Sequence, residues 1–122
     1  MMRDPITAQR GEELIALLPE HGWRVVSRTC EMLDWWADEV WTLESVWTPM
    51  GVRIFLTFLI DPMDDNNVWA LAASDCVMAD RLAAPYGCTI RLRHVWSKRL
   101  PAWFEALDKL RTRPTSAEEH AL

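Results

Sequence analysis

Four carboxylates, Asp34, Asp38, Glu39 and Glu44, stand in one short stretch beside Trp35, Trp36 and Trp41. Two carboxylates roughly 5–10 Å apart can hydrolyse a glycosidic bond, and tryptophan offers a large amphipathic ring for a ligand to lie against. One reading of the chain is therefore a pocket lined by Trp35, Trp36, Trp41 and Trp69, with an acid from Asp38 or Glu44. Such a pocket would bind or process a small ligand such as a sugar or heterocycle. The spacing argues against convergence. On a strand over residues 39–48, Glu39 and Glu44 project from opposite faces because side chains alternate. Asp34 and Asp38 fall outside that strand. A solvated acidic rim around an apolar sheet accounts for the same residues without chemistry, and no catalytic residue is assigned.

Other reactive side chains are sparse. His21 sits in a helix-stopping turn and His120 near the end of the chain. His94 falls on a predicted strand, facing the same way as Ile90, Leu92 and Trp96, with no identifiable acid–base partner. Asp61, Asp64, Asp65, Asn66 and Asn67 supply oxygen, but they lack the spacing, the central glycine and the terminal glutamate of a calcium loop. Asp and Asn also serve turn geometry. Cys30, Cys76 and Cys88 have no C-x-x-C spacing and read as small buried hydrophobes in a reducing compartment. Arg91, Arg93, Lys98 and Arg99 form a basic cluster near Trp96 that could hold a phosphate or an acidic partner, or face the acidic half of the same chain. With only 4 glycines and none of the phosphate-binding or hydrolase motifs, neither a cofactor nor a metal is expected.

The 122 residues suit one domain, and a hydrophobic fraction of 50% is ample for a core without disulfides or metal. Net charge is −5, unevenly spread: residues 1–80 carry 14 acids against 5 Arg and Lys, residues 81–122 carry 8 bases against 4 acids. An acidic total argues against nucleic acid as a general partner. Apolar runs such as 54–60 are too short to span a bilayer. The start Met1-Met2-Arg3-Asp4 lacks a signal-peptide pattern, so a soluble, cytoplasmic chain is expected. The unusual feature is 8 tryptophans against 1 tyrosine, a residue type enriched both in cores and at interface hot spots.

These patterns predict an α+β fold: an antiparallel β-meander of four to five strands, with an N-terminal and a C-terminal helix packed mainly on one face. Thr7 is positioned to cap a first helix running to about Leu18, stopped by Pro19 and Gly22. A strand over 23–29 follows. Segments 39–48 and 52–60 flank Thr48-Pro49-Met50-Gly51, a tight-turn sequence that would pair Trp47 with Val52. One face then carries Trp41, Leu43, Ser45, Ile54, Leu56 and Phe58. Pairing Ile60 with Val68 would add Ala70 and Ala72 to that face. Residues 75–84 suit either a short helix or an irregular crossing, and 88–96 alternate as a strand. Leu100, Trp103, Phe104, Leu107 and Leu110 mark a last helix with Pro101 in its first turn. Residues 1–112 read as the single domain and 113–122 as a frayed polar tail.

The opposite face is too apolar for water. It would carry Val40, Val46, Phe55, Leu59, Trp69 and Leu71, with Glu44 and Arg53 at its rim. A half-solvated antiparallel sheet should alternate more cleanly, and a contiguous apolar patch marks an interaction surface. The leading expectation is a non-enzymatic protein-interaction domain that binds through this face. It would form a homodimer or serve a dedicated partner as adaptor, chaperone or inhibitor.

Overall fold

The computed structural model describes residues 5–29, 37–47, 52–74 and 88–112. Helix α1 (Pro5–Leu17) runs through a 3-10 turn (Leu18–His21) into strand β1 (Trp23–Thr29). Strands β2 (Ala37–Ser45), β3 (Arg53–Asp61), β4 (Asp64–Ser74) and β5 (Cys88–Arg91) follow, then helix α2 (Trp96–Thr112). The five strands form one sheet in chain order, every neighbouring pair antiparallel. This is the α+β meander with terminal helices that the patterning predicts. The expectations for 75–84 and for the tail fall outside the described residues.

Pro5 opens α1, where a missing N–H costs nothing. Thr7 is therefore not the cap: it lies inside the helix and is fully buried. After the 3-10 turn, Gly22 reverses the chain at φ +78°, a left-handed conformation that disfavours a side chain. A Cβ there would also meet the Trp47 ring at 2.2 Å.

Strands β2 and β3 pair Leu43 with Ile54 and Trp41 with Leu56, two residues away from the register expected of a Trp47–Val52 turn. The connection is longer because Trp47 leaves the strand to lie over Gly22 and the Arg111 guanidinium. An even displacement keeps every side chain on its face. Trp41, Leu43, Ile54, Leu56 and Phe58 accordingly share one buried cluster, as expected.

Strand β4 departs further. Ile60 pairs with Val68, but Leu59 pairs with Ala70, so Trp69 is an extra residue in a bulge. Beyond it the faces are reversed: Leu71 and Ala73 join the main core, whereas Ala70 and Ala72 turn to the second face. Val68 and Leu71, three residues apart, cannot share a face of a regular strand. The bulge lets both be fully buried. Leu71 is thereby removed from the second face, and Ala70 and Ala72 from the first.

Both helices pack on the main face. Leu14 and Leu18 from the first end of the chain, and Trp103, Phe104, Leu107 and Leu110 of α2, close over Trp23, Trp41, Leu43, Leu56, Phe58 and Leu71. Helix α2 begins five residues before Pro101, so the proline lies inside it. Trp96 continues the apolar stripe backwards at the spacing of Leu100, Trp103 and Leu107, and its burial at 2% exposure extends the helix. Strand β5 ends correspondingly early, at Arg91. His94 and Val95 lie in the turn before α2, with Val95 at φ 51°, so the strand placement expected for His94 is corrected.

Candidate functional site

Among the described residues, the pocket candidates Trp41 and Glu44 lie on opposite faces of β2 and Trp69 stands on β4, so they do not line one pocket, and Asp34 falls outside the described residues. Trp41 is fully buried on the main face, where its Nε1 donates to Glu39 Oε1 at 2.8 Å. Arg28 donates to the same oxygen at 2.7 Å and lies over the Trp41 ring at 4.5 Å. Glu39 thus anchors the edge of the core. Asp38 is the extra residue of a β2 bulge and is 8% exposed. Glu44 is on the other face, and Trp69 lies on β4 with β3 between. Trp35 and Trp36 fall outside the described residues. Among the described residues no three His, Cys, Asp or Glu side chains gather as a metal site.

Glu44 sits between two arginines, accepting hydrogen bonds from Arg53 Nε at 3.2 Å and from Arg24. Those bonds, Arg53 first, hold its carboxyl below the ordinary 4.5. A depressed folded value means that the stability Glu44 adds is present above 4.5 and lost as pH falls through the lower folded value. An NMR titration of the Glu44 carboxyl should show a midpoint under 4.5 that rises when Arg53 is replaced by Gln. A midpoint at the ordinary value, unmoved by Arg53→Gln, would contradict the pairing.

The second-face candidates divide. Val40 and Leu59 are buried within the single chain, at 9% and 6% exposure, beside Thr57, Ala70 and Ala72. Leu71 belongs to the main core. Phe55, Trp69 and Glu44 are half-buried, and Arg53 is exposed. Val46 is exposed but lies past the end of β2, its N–H donating to Gly22 O at 2.9 Å. It borders a cleft of about 360 Å³ with Ile15, Pro19 and Trp23.

A different surface assembles more chemistry. Among the described residues strand β5 lies at one edge of the sheet, and α2 packs along it. Cys88 and Trp103 staple the two: Trp103 Nε1 donates to Cys88 O at 3.4 Å, and the thiol faces Trp103 O at 3.9 Å. Burial pushes that thiol up to about 12, so it stays protonated and unreactive at neutral pH. Between strand and helix runs a cleft of about 390 Å³, lined by Ile90, Ala102, Trp103 and Ala106 with Lys98 and Arg99. A second cleft, about 520 Å³, adjoins it through Thr89, Ile90, Val95 and Arg99 and reaches Trp69, Arg91 and His94. Trp69 also packs against the Leu59, Ala70 and Ala72 cluster, and Leu92 N–H donates to Trp69 O at 3.0 Å.

Among the described residues, the acids of the first half pair elsewhere than with Arg91, Lys98 and Arg99. Glu13, Glu39 and Glu44 meet Arg10, Arg28, Arg24 and Arg53, all from that same half. Arg93 donates to Val68 O at 3.0 Å and Trp96 belongs to the core. Among the described residues, no carboxylate lies within ion-pair distance of Arg91, Lys98 or Arg99. The basic cluster was visible in the sequence. Its assembly with Trp69 was not, because that depends on how β5 pairs with β4. No family model, curated protein or solved structure matches the chain.

Proposed function

We propose that this chain is a non-enzymatic protein-interaction domain that serves a dedicated partner, as an adaptor, chaperone or inhibitor does. The observation that carries the proposal is the exposed set Arg91, Lys98 and Arg99, which meets no carboxylate among the described residues, around an aromatic, solvent-open groove in a chain of net charge −5. Small ligands favour enclosed pockets with converging polar groups. An open groove with an aromatic anchor and a charged rim has the anatomy of a protein interface. Self-association through the second sheet face is the lesser form, since among the described residues of its strands only Phe55 and Trp69 still offer aromatic side chains in part. The cytoplasmic setting belongs to the same proposal, and no helix among the described residues is long and apolar enough to cross a membrane.

The test compares tagged wild-type chain with the double variant Arg91→Glu, Arg99→Glu in affinity capture from the native cells. Both side chains are exposed, so the variant should fold, as circular dichroism would verify. The expected result is a protein held by the wild type and lost by the folded variant. Equal capture by both, or native mass spectra in which the wild type carries only a small molecule, would overturn the proposal.

A further inference from the structure

We infer that the partner segment is an extended strand of alternating apolar and acidic residues, laid along the outer edge of β5. The inference rests on the interaction-domain reading and names the chemistry of its occupant. Strand β5 has β4 on one side and no strand on the other among the described residues. An edge strand offers backbone donors and acceptors to an added strand, whose alternate side chains fall into pockets on its two sides. Here the two sides differ. Cys88 and Ile90 are buried towards α2, whereas Thr89 and Arg91 are exposed on the other side.

The cleft on the α2 side has an apolar floor of Ala102, Trp103, Ala106 and Ile90. Small residues there leave room for an incoming apolar side chain. The adjoining cleft presents Arg91, His94 and Arg99 with the Trp69 ring. Carboxylates directed into it would meet guanidinium groups that hold no other carboxylate among the described residues. Alternation at the two-residue period of a strand satisfies both clefts at once. A long polyanion such as nucleic acid fits less well, because the rest of the surface carries the acidic excess and repels it.

The probe is a fluorescein-labelled octapeptide of alternating valine and glutamate, read by fluorescence polarisation against the full chain at neutral pH. Octaglutamate, a blocked valine-then-glutamate peptide and an alternating valine–lysine peptide serve as comparisons. The alternating acidic peptide should bind roughly tenfold tighter than each of them, and Arg91→Glu with Arg99→Glu should weaken it by roughly tenfold or more. Ala102→Trp, at an exposed helix position, should fill the apolar cleft and weaken binding similarly without lowering the melting temperature. No binding by the wild type, equal binding of octaglutamate, or indifference to the double variant would overturn the inference. Partner capture that depends on Arg91 and Arg99, from a chain that ignores this peptide, would sink the strand chemistry and leave the interaction-domain reading standing.

Discussion

A chain ending at residue 99 is expected not to fold. Truncation there removes Trp103, Phe104, Leu107, Leu110 and Arg111, all 5% exposed or less. Burying each large apolar side chain contributes roughly 1.5–3 kcal/mol, so the four together rival the about 5–15 kcal/mol that holds a typical domain. The loss also uncovers Trp23, Trp41 and Phe58, which α2 helps to close over. The fragment should be insoluble, or lack a cooperative thermal transition by circular dichroism. A soluble fragment that melts cooperatively would show that α2 is peripheral to the core.

Replacing Arg111 by alanine should cost roughly 3–5 kcal/mol, a large effect for one side chain near the end of a helix. Its guanidinium lies between the rings of Trp23 and Trp47, at 4.2 and 4.5 Å. It donates to Ser45 Oγ at 2.8 Å and to His21 O at 2.6 Å, and it pairs with Asp108. One cation thus ties α2 to the 3-10 turn and to the end of β2. Beside it, His21 stacks on Phe104 at 3.8 Å between ring centroids. Urea unfolding of Arg111→Ala should show the full loss. Arg111→Lys should recover only a small part, because an ammonium lacks the planar fork that reaches both acceptors while stacked on two rings. A loss below about 1 kcal/mol, or full rescue by lysine, would reduce the cluster to an ordinary surface pair.

Much of the architecture was legible in residue order alone. β-branched and aromatic runs marked β1, β2 and β3, and the stripe from Leu100 to Leu110 marked α2. Face membership on β2 and β3 survived a two-residue error in register, because only the parity of the pairing decides which side chains meet the core. The apolar excess on both faces of β3 was also legible, and Leu59 and Thr57 are indeed buried.

What the sequence determined by itself was therefore periodicity: the kinds of elements, their order, and the faces of the regular strands. Tertiary structure decided everything that depends on a single inserted or displaced residue. The Trp69 bulge carried Leu71 into the core, since only that insertion buries Val68 and Leu71 together, while Trp69 stays against the second-face cluster beside the basic edge. Trp47 left its strand for Gly22 and Arg111, contacts with partners at distant sequence positions. Arg111, which at sequence level merely suits the C-terminal charge preference of a helix, became a buried tie between three elements. Among the described residues, Arg91, Lys98 and Arg99 meet no carboxylate, while Glu39 and Glu44 pair with arginines on neighbouring strands. A period of two or 3.6 residues is a local property and can be read along the chain. Bulges, long-range ion pairs and stacked rings are settled by what packs across the sheet, and no local pattern encodes them.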